Sequence, residues 1–175
     1  PIHQFLSPDG VLSAQTPPRW RDPVLWRAAY RHLSLTRLFD QRAVALQRTG
    51  QLGTYASCLG QEAISSAIGF SLQNDDVFIP YYRDQAAQML RGMSMRSILQ
   101  FWGGDEWGSH HTSAFDLPAC IPIATQVTHA AGVAAAIKLR HQQQAALTTC
   151  GDGASSRGDF YEALNLAGVW HLPLV

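Results

Sequence analysis

Residues 145–170 read AALTTCGDGASSRGDFYEALNLAGVW. The first six residues are apolar or Thr, which is typical of a buried strand, whereas Phe160, Leu164 and Ala167 recur at helical spacing. Residues 151–159, which lie between the two patterns, are rich in Gly, Ser and Asp and predict a strand-to-helix turn. Such a turn can bind a phosphate and its metal, because its backbone N–H groups and the helix N-terminus favour anions.

The Gly151-Asp152-Gly153 tripeptide is the chemically informative part of this turn. Glycine can take positive φ and has no Cβ, so the backbone can approach a bulky anion closely. A carboxylate is a hard oxygen ligand that suits Mg²⁺ or Ca²⁺ shared with a phosphate. Taken alone, the tripeptide is a weak signal, and an ordinary turn in which Asp152 caps backbone amides is the favoured interpretation.

Composition excludes several classes of protein. The chain has 175 residues and zero formal net charge, which argues against a general binder of nucleic acid or acidic membranes. No run of about 18 apolar residues is present. Its cysteines, Cys58, Cys120 and Cys150, are scattered and odd in number, so we expect no disulfide framework and a reducing compartment.

We expect the chain to be part of a longer polypeptide. It begins at Pro1 without Met, and the apolar run 173–175 predicts the first residues of a further strand. Residues 1–21, with several Pro and little periodicity, predict an extended N-terminal arm. Residues 22–175 are then the N-terminal part of one α/β domain, incomplete at its C-terminus.

Helical and strand patterns alternate along this domain. The predicted helices cover 22–50, 60–70, 84–91, 94–103, 122–140 and 160–170, and the predicted buried strands cover 77–80 and 145–150. This order implies parallel strands joined by right-handed crossovers, and hence a three-layer α/β fold with a parallel sheet. The small residues of helix 60–70 permit close helix packing. Gly132, within an Ala-rich helix, predicts that this helix is buried close to another backbone.

Tyr82 and Arg83 directly follow the first predicted strand, at the edge where α/β sheets bind ligands. Arginine can fork onto a phosphate and tyrosine can donate its hydroxyl to one. An ion pair between Arg83 and Asp84 on the surface fits the same spacing.

Two further features have open interpretations. Residues 1–50 contain seven arginines and three acids, a local net charge of +4, which fits nucleic-acid binding but better fits a solvated or subunit-facing helix surface. His110 and His111 are adjacent and lack a third ligand at zinc spacing, so a substrate-facing or partner-facing role is favoured over a metal site.

Five segments together resemble one family, the α subunit of the thiamine-diphosphate-dependent E1 component of 2-oxo acid dehydrogenase complexes, of the pyruvate and branched-chain types. The segments are 36–42 (TRLFDQR), 60–63 (GQEA), 82–84 (YRD), 123–126 (IATQ) with Ala131-Gly132, and 151–155 (GDGAS) with 158–163 (GDFYEA). They occur in the family's order over nearly the whole chain.

The resemblance implies roles for particular residues. Tyr82 and Arg83 would contact the diphosphate, and Asp152 would ligate Mg²⁺. The other implied cofactor-binding residues are Gly151, Gly153 and Ala154, which would line the diphosphate, and Ile121 and Ile123, which would hold thiamine diphosphate in its bent shape. No catalytic base is implied within this chain, because the family's second metal ligand, an Asn, and its catalytic His would lie beyond Val175.

The family's activity is oxidative decarboxylation of a 2-oxo acid with acyl transfer to a lipoyl group on the E2 component. The resemblance implies an E1 β partner in an α2β2 heterotetramer, because the β subunit supplies the carboxylate that activates the cofactor, so this segment alone is expected to be inactive. The implied location is the cytoplasm of a bacterium or the mitochondrial matrix of a eukaryote. An acetoin dehydrogenase α chain and a truncated, non-catalytic α-type scaffold are the alternatives, and the particular 2-oxo acid stays open.

Overall fold

A computed structural model describes residues 4–110 and 115–175. His111 and the first three residues of the predicted arm lie outside the described residues. The described α-helices are α1 (Pro23–Arg48), α2 (Glu62–Ser71), α3 (Gln85–Leu90), α4 (Met95–Trp102), α5 (Thr125–Leu139) and α6 (Gly158–Val169); the strands are β1 (Val77–Ile79) and β2 (Ala146–Thr148). These elements confirm the predicted order of helices and strands.

The two strands pair in parallel, with Val77 opposite Ala146 and Ile79 opposite Thr148. On the other side of β2, Leu174 forms a parallel bridge with Ala146. The Val175 N–H donates to the Ala146 carbonyl at 2.9 Å. The α/β class and the parallel pairing are therefore confirmed.

The core forms where α5 crosses this sheet. Val77 and Ile79 pack with the small residues Ala130 and Ala134 of α5, which let the helix approach the strands closely. Because side chains alternate along a strand, Phe78 points to the opposite face, and it is fully buried there. Both faces of β1 are thus covered.

Helix α1 starts where the sequence predicts. The Asp22 carboxylate accepts a hydrogen bond from the Val24 N–H at 2.8 Å, and Pro23 occupies the first helical position. One narrow stripe of the helix is buried (His32, Thr36, Phe39, Asp40, Ala43). Most of the arginines of α1 lie on its exposed faces.

Close helix packing at a glycine occurs at Gly69 and not at Gly132, where the sequence predicted it. A Cβ at Gly69 of α2 would lie 2.8 Å from the Leu90 Cβ of α3, as the small residues of α2 predict. Helix α5 is buried against the sheet, as predicted, but Gly132 takes no part in this contact, because Gly132 is exposed and a Cβ there would meet no atom within 4 Å. Helix α5 buries its alanines and turns Gly132 away from them.

Among the described residues, no helix combines the length and the apolarity needed to cross a membrane.

Gly69→Ala and Gly132→Ala form a matched pair of helical substitutions. We expect Gly69→Ala to lower the free energy of unfolding by about 1–3 kcal/mol, because the new methyl group overlaps Leu90. We expect Gly132→Ala to raise it by up to about 1 kcal/mol, because alanine stabilises a helix interior and the site has room. Urea unfolding of the two variants checks this, and equal effects would contradict the packing described here.

Candidate functional site

The candidate site lies at the carboxyl end of the parallel strands. Residues 80–84 follow β1 and residues 149–153 follow β2, and because the strands are parallel, both segments leave the sheet at the same edge. An open cleft of about 460 Å³ lies there. Its lining residues come from α2, from the residue that precedes α2 and from the two segments: Gln61, Ile64, Ser65, Tyr81, Asp84, Thr149, Cys150, Gly151 and Asp152.

Asp84 connects the two segments. Its Oδ2 accepts hydrogen bonds from the Tyr81 N–H at 3.1 Å and from the Thr149 hydroxyl. The Asp84 side chain is buried, with the residue only 2% exposed. The alternative of a surface ion pair between Arg83 and Asp84 is therefore wrong.

The environment of Asp84 favours its neutral form. Burial raises the pKa of Asp84 to about 6, and the hydrogen bonds from Thr149, from the Tyr81 N–H and from Ser65 oppose this rise. No cation pairs with Asp84 among the residues that the structure describes. The carboxyl is thus held by neutral donors alone.

Gln126, at the start of α5, holds the same segment from another side. Its Nε2 donates to the Thr149 carbonyl at 2.8 Å, and its Oε1 is buried with no hydrogen-bond partner in the part of the chain that the structure describes. Thr149 is therefore fixed at both its hydroxyl and its carbonyl. This anchoring sets the position of Gly151 and Asp152, which come two and three residues later.

The Gly-Asp-Gly turn begins a short 3₁₀ helix, Asp152–Ser156, anchored by Ala154, which is completely buried. Asp152 is exposed, and its carboxylate has no hydrogen-bond or ion-pair partner among the described residues. The capping role that the ordinary-turn alternative gives Asp152 is therefore not observed among the described residues.

The glycines of this turn provide space and not an unusual backbone. Gly151 has φ −78° and ψ 166°, and Gly153 also lies outside the positive-φ region. A Cβ added at either residue would meet no atom within 4 Å. Open space therefore adjoins the backbone on both sides of Asp152.

Tyr82 and Arg83 lie next to the cleft but do not line it. Tyr82 packs against the apolar cluster around Met93 and Trp102. The Arg83 guanidinium lies 5.3 Å from the Tyr82 ring centroid and donates one N–H to the Ser57 carbonyl. On the cleft itself, the Tyr81 hydroxyl donates to the Gln61 Oε1.

Ile121 and Ile123 are 46% and 49% exposed, immediately before the left-handed residue Ala124 that precedes α5. His110 is exposed and stacks on Trp107 with ring centroids 4.7 Å apart. Of the predicted site residues, the structure thus brings Gly151 and Asp152 to the cleft, with Gly153 and Ala154 directly after them.

No cluster of three His, Cys, Asp or Glu side chains that could hold a metal occurs within residues 4–110 and 115–175. Asp152 could therefore hold a metal only together with ligands from other groups, such as phosphate oxygens.

Comparisons with known proteins define the class. A family model described as "Dehydrogenase E1 component" matches residues 30–175. The pyruvate dehydrogenase E1 component subunit alpha of Bacillus cereus is 36% identical over 174 residues, covering 98% of this chain and 47% of that protein. The protein of the same name from Staphylococcus aureus (strain Mu50) is 38% identical over 141 residues, covering 80% of this chain and 38% of the relative.

The chain therefore belongs to the dehydrogenase E1 component family. The predicted resemblance to E1 α-type components of 2-oxo acid dehydrogenases is confirmed, because the relatives just named are alpha subunits. The chain spans less than half the length of these relatives.

Four residues were not assigned a role in the site from the sequence: Tyr81, Asp84 and Thr149, which line the cleft, and Gln126, which holds Thr149 in place. Tyr81 and Asp84 flank the two residues that were singled out, and Thr149 lies two residues before Gly151, the first residue of the Gly-Asp-Gly turn. Their positions beside predicted ligand-binding segments were the available signal. Their pairing across the sheet edge could not be inferred from local patterns.

Replacing Asp84 by Asn tests the environment of this carboxyl. Because its folded pKa is about 6 and its ordinary value 3.8, its contribution to stability is complete below about pH 4 and is lost as the pH rises through 6. A shift of about 2 pKa units corresponds to about 3 kcal/mol. Between pH 4 and pH 7, the free energy of unfolding of Asp84→Asn should therefore gain up to about 3 kcal/mol relative to the unsubstituted protein.

Urea unfolding at several pH values measures this difference, and carboxyls common to both proteins cancel. Asp75→Asn, which removes an exposed carboxyl, controls for the change in net charge. Parallel pH profiles for Asp84→Asn and the unsubstituted protein would rule out the environment described above.

Proposed function

We propose that this chain binds the diphosphate and Mg²⁺ of thiamine diphosphate, as the α-type part of an E1 enzyme that oxidatively decarboxylates a 2-oxo acid. The observation that carries the proposal is the free carboxylate of Asp152 beside open backbone at the edge of the parallel sheet. Membership in the E1 family supports it. The proposed architecture of the complete domain is the three-layer fold of thiamine-diphosphate enzymes.

The residues of the cleft fit a diphosphate with a bound Mg²⁺. An unpaired carboxylate is a suitable oxygen ligand for Mg²⁺, and the missing side chains of Gly151 and Gly153 leave room for a bulky anion. Backbone groups of Gly151, Gly153 and Ala154 would line the diphosphate. The buried bonds of Asp84 and Gln126 to Thr149 keep this turn in place without using Asp152.

Arg83 and Tyr82 would add positive charge and a hydroxyl donor for the diphosphate. Arg83 uses one guanidinium N–H for the Ser57 carbonyl, and its remaining donors are available for phosphate oxygens. Ile121 and Ile123, about half exposed, would supply apolar contact to the rest of the cofactor.

Thiamine diphosphate, when bound, supplies the carbanion chemistry by which a 2-oxo acid loses its carboxylate. The side chains named above bind and orient; none of them is assigned the transfer of a proton. The groups that activate the cofactor would come from an E1 β partner in an α2β2 heterotetramer, and a lipoyl-bearing E2 component would accept the acyl unit. Such an assembly would work in the bacterial cytoplasm or in the mitochondrial matrix.

Asp152→Ala tests the metal ligand. In the full-length protein, co-expressed with its β-type partner, we expect the substitution to weaken Mg²⁺-dependent binding of thiamine diphosphate by about 2–3 kcal/mol, because a charged contact is lost. Isothermal titration calorimetry measures the affinity. Asp159→Ala is the matched control, since Asp159 forms an exposed pair with Arg157. Unchanged affinity in Asp152→Ala would refute the assigned role, and no binding by the unsubstituted protein would refute the proposed function.

Substrate profiling tests the reaction. The relatives are named for pyruvate dehydrogenase. We therefore expect the assembled enzyme to decarboxylate pyruvate with a higher kcat/KM than branched 2-oxo acids, and to leave acetoin unreacted. A preference for acetoin would replace this proposal with the acetoin dehydrogenase alternative.

A further inference from the structure

Beside the cleft, the loop segment 55–58 is organised around a single buried carboxylate. Asp40 of α1 is 2% exposed. Its Oδ1 accepts hydrogen bonds from the Tyr55 hydroxyl at 2.9 Å and from the Cys58 N–H at 2.7 Å, and its Oδ2 accepts one from the Ser57 hydroxyl at 2.7 Å. One side chain of the long helix thus holds three residues of the loop.

These donors take the place of a cation. Asp40 forms no ion pair among the described residues, so three hydrogen bonds compensate the cost of burying its carboxylate. Burial, together with nearby negative groups that include Asp40, raises the pKa of the Tyr55 hydroxyl and raises the pKa of Cys58 to about 12. Tyr55 therefore stays protonated at neutral pH and remains a donor to Asp40.

The loop in turn forms hydrogen bonds with the segment that follows β1. The Ser57 carbonyl accepts a hydrogen bond from an Arg83 N–H. The neighbouring Ala56 carbonyl accepts one from the Gln85 Nε2 at 2.9 Å, and the same nitrogen lies 3.2 Å from the Tyr82 carbonyl. Two successive carbonyls of the loop thus accept hydrogen bonds from Arg83 and Gln85, and Gln85 in turn bonds to the carbonyl of Tyr82, the residue before Arg83.

We propose that Asp40 is a positioning residue that presets the Arg83 guanidinium for a diphosphate group. This inference rests on the proposed function, and it adds a residue, 43 positions before Arg83 in the chain, that does not itself touch the ligand. Without the Asp40 bonds, the Ser57 carbonyl is no longer held at a defined place. Arg83 then loses the acceptor that orients it, and part of the binding energy for an anion is spent on ordering the side chain.

A purely structural role for Asp40 predicts a different dependence on Arg83. Tyr55 also packs edge-to-face on Phe39 and Trp102, so loss of Asp40 loosens an apolar cluster as well as the loop. Loosening of that cluster lowers stability whether or not Arg83 is present. If Asp40 acts by positioning Arg83, in contrast, its effect on binding disappears when the arginine is removed.

A double-mutant cycle separates the two roles. Asp40→Asn, Arg83→Ala and their combination are made in the full-length protein co-expressed with its β-type partner. Affinity for thiamine diphosphate with Mg²⁺ is measured by calorimetry, and the melting temperature is measured without the cofactor. Asp116→Asn is the matched control, because Asp116 is a buried carboxylate paired with Arg91 at 2.6 Å and lies outside the lining of the cleft.

We expect Asp40→Asn to weaken binding about tenfold when Arg83 is present and less than about twofold when it is absent. Asp116→Asn should lower the melting temperature without weakening binding in this way. Unchanged affinity in Asp40→Asn, or an equal loss with and without Arg83, would overturn the inference while the proposed function stands. Absence of binding by the unsubstituted protein would overturn both.

If Asp40→Asn yields no folded protein, the double variant Tyr55→Phe/Ser57→Ala serves instead, because it removes two of the three donors and keeps the carboxylate. It should also weaken binding in an Arg83-dependent manner, and unchanged affinity in this variant would overturn the inference.

Discussion

The hydrogen bond that the Thr149 hydroxyl donates to Asp84 joins the two chain segments on which the candidate site depends. Parallel pairing of β1 and β2 brings these segments to one edge of the sheet, but a strand ladder fixes only the strands themselves. Beyond the strands, the segments could diverge. The buried bond to Asp84, with the bond from Gln126 to the Thr149 carbonyl, extends the ordered structure by several residues toward Asp152.

Three aspartates of this chain have three different environments. Asp40 and Asp84 are buried and bonded to neutral donors, whereas Asp152 is exposed and free of partners among the described residues. A buried carboxylate surrounded by donors orders the backbone around it, because each donor loses its freedom. A free carboxylate at the mouth of a cleft keeps its lone pairs for a ligand. Asp40 and Asp84 thus support the site, whereas Asp152 faces the cleft.

The segment that follows β2 and the loop segment 55–58 are supported separately. Asp84 and Gln126 hold the segment after β2, whereas Asp40 holds the loop that contacts Arg83. The supporting side chains belong to α1, to the start of α5 and to the segment before α3, so residues far apart in the sequence determine one small region. Support by buried groups leaves the exposed groups of the cleft free for binding.

The amino-acid sequence by itself determined the order of elements, the start of α1 at Asp22, the strand-to-helix turn at Asp152 and membership in the E1 family. These features depend on local periodicity, capping residues and short motifs, all of which involve residues that are close together in the sequence. Only the tertiary structure decided that Asp84 turns inward to Thr149, that Gly132 is exposed while Gly69 contacts Leu90, and that Arg83 bonds to the Ser57 carbonyl. Periodicity shows that a helix has a buried face, but which residue meets a neighbour depends on how the helices and strands pack, and that is set by contacts between residues distant in the chain.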